Sequence, residues 1–295
     1  MGAWRAALAA ALLTVAGAAH AGLPPRGCDR AIPVTATQQD HLLRFAAVVR
    51  EALARSGAQA ALISRSGTDL SRFGLRYSHA GIAVADGLGT PWAVRQLYYA
   101  CAEGQPRLFD QGLAGFVGGG DNADEGYLSL LLLPPEAAAP LAAATLDKPL
   151  ALGLLNARYS ANAYPFSTRY QNCNQWVAEL LAAATAGLAA REDAQAWLRR
   201  EGYSPEPVRA SVWLLAAGRF VPWLHFDDHP VAQLDAGSVQ TSLPDSLEAF
   251  AMRRWPAARR IEFCHGPRGI LQREGGAPLA SGCMPQDGDT VTGFN

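Results

Sequence analysis

Hydrophobic and polar positions along this chain switch between a helical and a strand period. In QQDHLLRFAAVVREALARSG, residues 38–57, Leu42, Leu43, Phe45, Ala46, Val49 and Leu53 fall on one side of a helix, with Thr37 as its cap and Gly57 as its end. AALISRSG follows as a short apolar strand. YSHAGIAVADG (77–87) and PWAVRQLYYAC (91–101) alternate, and the turn residues from Asp86 to Pro91 between them predict a hairpin. GYLSLLLLP predicts a buried strand, and PEAAAPLAAATLD a helix after a proline start. A polar, tyrosine-bearing loop, NARYSANAYPFSTRYQN, then leads to a helix from Asn174 to about Ala184. Helices near REDAQAWLRREG, RASVWLLAAGR and DSLEAFAMRRW, and a strand at RIEFC, complete the pattern. The glycine-rich stretch from Gly112 to Gly126 reads as a mobile loop, since no Gly-Lys-Ser/Thr follows its GGGD to make a phosphate cradle. Without an internal repeat or long linker, residues 22–295 are expected to form one α+β domain, an antiparallel sheet packed on helices with a helical insertion.

The first 21 residues, MGAWRAALAAALLTVAGAAHA, carry one positive charge at Arg5, an apolar run and a small-x-small site at Ala19-His20-Ala21. That is the pattern of a secretory signal peptide. The run is too short to span a bilayer and no later stretch is long enough, so a periplasmic or secreted, not membrane-spanning, protein is expected. Apolar residues at 49 % and charged ones at 17 % support a substantial core. A net charge of −1 gives no reason to expect nucleic acid as a partner. Export changes how the five cysteines are read, because an oxidising compartment favours disulfides and an odd count leaves one over. Cys264 and Cys283 close a short glycine-rich loop; Cys28 with Cys101 is the natural remaining pair, leaving Cys173. Sequence does not fix connectivity, so this pairing is an expectation.

Cys173 opens the helix of RYQNCNQWVAELL, residues 169–181. A thiol there meets the unpaired N–H groups of the first turn, which favour thiolate. Trp176, Val177, Leu180 and Leu181 supply an apolar face to hold that helix start still, and the Cys173 N–H is aimed where an oxyanion develops. Acyl chemistry also needs a proton carrier. His41, His225, His229 and His265 lie in a helix, a loop or beside a disulfide candidate; His79 alone sits on a well-marked strand, beside the small Ala80 and Gly81. Pairing Ala85 with Trp92 across the hairpin sets Gln96 opposite Gly81 and Tyr98 opposite His79. Gln96 then becomes the group that orients the imidazole, whereas a one-residue slip would present Arg95. His225 and His229 with Asp227 and Asp228 have a metal-like spacing, but Pro230 follows and the segment reads as a solvated loop. Asp110, Asp121, Asp124 and Glu125 lack the spacing of a calcium loop. No metal and no other cofactor is expected.

YSHAGIAV, the strand bearing WAVRQL, STRYQNCNQWVAELL and TSLPDSLEAF resemble the bacterial exported proteins grouped as domain of unknown function 2145 (DUF2145). More distantly, a strand histidine followed much later by a cysteine opening a helix is similar to the circularly permuted branch of the NlpC/P60 papain-like superfamily. That branch includes lecithin:retinol acyltransferase-like enzymes and bacterial amidase or lipid-hydrolase relatives. The resemblance implies a permuted papain-like core with Cys173 as nucleophile, His79 as base and a polar residue at or near Gln96 as third member; glutamine is a less common choice there. The expected function is a thiol hydrolase or acyltransferase acting on an amide or ester bond of a cell-wall peptide, glycopeptide or lipid. The alternatives are a non-catalytic envelope binding module on the same scaffold and a structural protein joined through Cys173 to a second chain.

Overall fold

The computed structural model of the chain describes residues 33–294. The expected signal peptide and Cys28 lie outside the described residues. The strands are β1 (Ala60–Arg65), β2 (His79–Val84), β3 (Ala93–Ala100), β4 (Gln105–Gln111), β5 (Gly126–Leu132), β6 (Val208–Arg209), β7 (Ser238–Val239), β8 (Arg259–Gly266), β9 (Gly269–Glu274) and β10 (Thr290–Thr292). All but β6 and β7, which pair with each other, form one sheet in the order β10-β9-β8-β5-β1-β2-β3-β4. Every pairing in it is antiparallel. The helices are α1 (Ala36–Ser56), α2 (Leu113–Val117), α3 (Pro135–Leu146), α4 (Lys148–Gly153), α5 (Cys173–Ala186), α6 (Arg191–Arg200), α7 (Val212–Gly218), α8 (Val231–Asp235) and α9 (Pro244–Arg254).

The central strands are apolar on both sides because the sheet is covered on both. Ala60, Leu62, Ala80, Ile82, Leu97 and Leu131 pack with Trp176, Val177 and Leu180 of α5 and with α3 and α9. The alternate positions Ala61, Ile63, Ala83, Val94, Leu128 and Leu130 pack with Phe45, Val49 and Leu53 of α1 and Phe116 of α2. This gives helix, sheet and helix layers, with residues of strand period two feeding opposite cores.

Three sequence expectations shift in detail. The cap of α1 is Thr35, not Thr37: its hydroxyl accepts the Gln38 N–H at 3.2 Å and the Gln38 side chain accepts the Thr35 N–H at 2.8 Å. The reciprocal pair satisfies two free donors, which a lone hydroxyl at 37 could not do. Leu43 is 51 % exposed rather than packed, being on the rim of the helix face. The helix from Cys173 is not amphipathic in its setting: every residue from Cys173 to Ala183 is buried, including Asn174, Gln175 and Glu179. A helix enclosed on all sides must satisfy those polar groups internally. β4, α2, β9 and β10 had no counterpart in the sequence reading; β4 carries the polar, half-exposed pattern of an edge strand.

The hairpin register is the expected one, with Ile82 opposite Arg95, Ala83 opposite Val94 and Val84 opposite Ala93. Cys264 and Cys283 form a disulfide with a Cα separation of 5.8 Å. Cys101 is also disulfide-bonded, its expected partner Cys28 lying outside the described residues. Cys173 is a free, buried thiol.

Candidate active site

The two asparagines around Cys173 have separate tasks. Asn172 is the cap of α5: its side-chain oxygen accepts the Gln175 N–H at 2.7 Å while its amide donates to Ala161 O at 3.1 Å and Thr241 Oγ1 at 2.9 Å. Asn174 sends its amide to Ser78 O at 3.2 Å and Ser242 O at 3.1 Å. The helix start is thereby fastened to the residue before β2 and to the chain entering α9. Two residues of amide flank a cysteine because a buried helix start needs both a cap and a lateral anchor.

The thiol donates to Asn174 Oδ1 at 3.6 Å. Burial pushes it up to about 11, while the backbone N–H groups of Asn174, Ala80 and Cys173 itself and the charge of Arg65 pull in the opposite direction. Ser78, held by Asn174, and Ala80, whose N–H faces the sulfur, are the two neighbours of His79 in the chain. The start of α5 therefore grips β2 on both sides of the histidine.

His79 is the first residue of β2, and its Nε2 lies 2.6 Å from Gln96 Oε1 on β3. Gln96 in turn donates to Gln111 Oε1 on β4 at 2.5 Å. With the Gln96 amide nitrogen committed to Gln111, its oxygen faces the ring as an acceptor, so His79 carries its proton on Nε2 and Nδ1 keeps a lone pair. The ring packs against Tyr98, with centroids 4.6 Å apart, as the register expectation of opposition implied. Burial, and next the Arg65 charge, lower the His79 pKa to about 3, against the hydrogen bond to Gln96. Cys173 and His79 are each 7 % exposed, so the site is closed and both groups are neutral at pH 7. Arg95, the residue a register slip would have presented, is on the other side of the strand, paired bidentately with Asp110 at 2.7 Å.

The polar loop 156–172 is tied to α5 through Glu179, which is fully buried. Its carboxylate accepts from Arg191 at 2.8 and 3.0 Å, from Gln195 at 2.7 Å and from Gln171 at 2.5 Å. Arg191 also reaches Thr168 O at 3.0 Å and Tyr170 O at 3.1 Å. Of the loop's aromatic residues, Tyr159 stacks on Tyr99 of β3 and senses the charge of Cys173, whereas Tyr164, Phe166 and Tyr170 pack on His229, Tyr203 and His225. The segment with His225 and His229 is a loop but not a solvated one: His229 is buried and its Nε2 lies 2.8 Å from Asn162 O, because the loop closes over residues 160–170. Among the described residues no group of three His, Cys, Asp or Glu side chains is placed to hold a metal.

Sequence reasoning gave no role to Arg65, Asn174 or Glu179, and left Tyr159 between lining a pocket and packing its own loop. Arg65 left the one available signal, a charge closing an otherwise apolar strand; the roles of the others depend on distant segments.

Fold and site together define a layered α/β/α protein whose free buried thiol opens a central helix packed on the Ala80 side of β2, while the His79 ring lies against Tyr98 and Phe116 on the other, with no hydrogen bond between thiol and imidazole among the described residues. The chain belongs to the DUF2145 family, uncharacterized proteins conserved in bacteria, whose sequence pattern matches residues 52–251, from the end of α1 into α9. No curated protein and no solved structure matches it. No helix among the described residues is long and apolar enough to cross a membrane.

Proposed function

We propose that the protein is an exported thiol hydrolase or acyltransferase that cleaves an amide or ester through Cys173 and His79, with Gln96 orienting the imidazole. The observation that carries this reading is the bond from His79 Nε2 to Gln96 at 2.6 Å, made while the start of α5 holds Ser78 and Ala80 on either side of the histidine. A fixed tautomer with its lone pair on Nδ1 is what a general base for a thiol requires. Disulfide bonding at Cys264 and Cys101 suits an oxidising compartment, in keeping with export. The likeness to permuted papain-like enzymes belongs to the same proposal.

In the reaction the thiol proton passes to His79 Nδ1 as sulfur bonds to the substrate carbonyl carbon, whose oxygen becomes an oxyanion beside the first-turn N–H groups of α5. Collapse breaks the C–N or C–O bond, and the leaving group takes the proton from Nδ1. Water or another acceptor then gives a proton to the same nitrogen and displaces sulfur from the acyl group, and the departing sulfur takes that proton back. The resting pair is not ionised. Values of about 11 and about 3 are roughly eight units apart, so separated charges would cost about 11 kcal/mol. That cost lies below the barrier of about 16 kcal/mol for turnover on the order of 10 per second. Proton transfer therefore accompanies attack instead of preceding it.

An acyl-mimicking electrophile tests this. It is expected to label Cys173 at neutral pH and to label nothing in Cys173→Ala, and His79→Gln should slow labelling by about 10²- to 10⁴-fold, the usual worth of a general base. Labelling that survives Cys173→Ala, or is untouched by His79→Gln, overturns the reading. The second reading, a non-catalytic binding module, is favoured by the burial that keeps the thiol protonated; a wild-type thiol that ignores the electrophile supports it.

A further inference from the structure

We propose that the outer face of α7 is a membrane-surface patch, which lays the protein on a bilayer of anionic phospholipid without crossing it. The inference stands apart from the catalytic reading, since neither Cys173 nor His79 takes part.

Leu215 and Gly218 are the buried positions of α7 and set its inward side. Trp213, Ala217 and Phe220 are spaced i, i+4 and i+7, and all three are exposed on the opposite side. The turn carries on past Gly218, with the Phe220 N–H donating to Ala217 O at 3.1 Å and the Val221 N–H to Gly218 O at 3.0 Å, so Phe220 keeps that alignment. Trp213 is 82 % exposed and Phe220 88 %, with Val212 next to them at 71 %. Among the described residues no other Trp, Phe or Tyr is as exposed. A helix that is apolar on its outer as well as its inner side leaves half of its hydrophobic surface without a partner.

Charge around the patch selects that partner. From Pro207 to Phe226 the chain carries Arg209 and Arg219 and no acid. The two arginines stand just before and just after the helix, both exposed, and among the described residues neither is in an ion pair. Glu206 and Asp227 bound the stretch, and Asp227 is already neutralised by Arg169 at 2.6 Å. Exposed rings between two unpaired cations match the surface of an anionic bilayer, where aromatic side chains settle at headgroup level and guanidinium groups meet phosphate. A second copy of the chain fits less well. Trp213 and Phe220 together offer about 300–400 Å² of ring surface, against about 800 Å² buried on each side of a stable protein pair. The patch lies on the bilayer and does not enter it as a span, since no helix among the described residues is long and apolar enough to cross.

The segment that follows α7 is tied to the 156–172 loop ahead of Cys173. Trp223 O accepts the Ala161 N–H at 2.9 Å, and Ser160 Oγ accepts the His225 N–H at 3.0 Å. Bilayer contact at α7 therefore keeps that loop near the membrane surface.

Sedimentation with vesicles provides the test, using residues 22–295 so that the apolar leader sequence takes no part. The vesicles are phosphatidylcholine alone, or phosphatidylcholine and phosphatidylglycerol in equal parts. Wild type should partition onto the anionic vesicles and more weakly onto the neutral ones. Combining Trp213→Ser with Phe220→Ser should lower partitioning by about tenfold or more. Arg209→Gln and Arg219→Gln should each lower it about fivefold on anionic vesicles, the equivalent of about 1 kcal/mol per cation, and leave neutral vesicles unchanged. All four side chains are exposed, so each variant should melt with the wild type, which separates lost binding from lost fold. A wild type that stays in solution with both vesicles, or binding untouched by the aromatic changes, overturns the proposal. Equal binding to both vesicles overturns the choice of anionic lipid. Aromatic variants that instead break up a concentration-dependent dimer, seen by light scattering without vesicles, assign the face to a second copy and overturn the proposal as well.

Discussion

Glu248 offers a pH dependence that can be worked out from its surroundings. It sits on α9, 4 % exposed, with Ser64 donating to one oxygen at 2.8 Å, Ser129 to the other at 2.9 Å, and Arg260 Nε 3.3 Å away. Burial pushes its carboxyl from an ordinary 4.5 up to about 7, even though Arg260 and the two serines favour the charged form. Between those values the native state holds a proton that the unfolded chain has released. Stability from this group is therefore fully present below about pH 4.5 and is lost as pH rises through 7. A shift of about 2.5 units corresponds to roughly 3 kcal/mol. Glu248→Gln keeps the shape and a hydrogen-bonding amide but cannot ionise, and Arg260 stays paired with Glu262 at 2.5 Å. The stability of the variant relative to wild type should then climb by about 3 kcal/mol between pH 4.5 and 8, measured by urea unfolding at stepped pH with disulfides intact. Any constant offset from the changed hydrogen bonds cancels in the slope. A difference that is flat with pH, or that falls, would refute the argument from desolvation.

Two further outcomes follow from the packing. Glu179→Ala strands Arg191 inside the protein and should destabilise it by about 3–5 kcal/mol; a loss below about 1 kcal/mol by chemical unfolding would show that the carboxylate network does not hold the 156–172 loop. Cys264→Ser opens a disulfide that spans 19 positions and should lower stability by about 3 kcal/mol on loop-entropy grounds, with an unchanged midpoint counting against that constraint.

How much of this was legible beforehand varies with the range of the forces involved. The β2–β3 hairpin could be read with its register, since period-two alternation and a turn of fixed length are local and leave one pairing that keeps Ile82 and Val84 on the same core. The helix opening at Cys173 was legible for the same reason, and the Cys264–Cys283 bridge because its loop is short and flexible. The cap of α1 was misplaced by two residues: both threonines look alike until the reciprocal bond from Gln38 is counted. β4 and β10 escaped notice because they are the edges of the sheet, and β4 carries polar residues that blur the alternation.

Sequence by itself determined the longer helices and the central strands, where the thiol stands on its helix, and which histidine and glutamine share a hairpin. Only the tertiary structure decided that α5 is enclosed on every side, that the thiol and imidazole are both held neutral, and that they pack on different faces of β2. The division follows the physics. Periodicity and capping act over a few residues, whereas desolvation and the pairing of charges depend on segments tens to hundreds of positions apart that meet when the layers close.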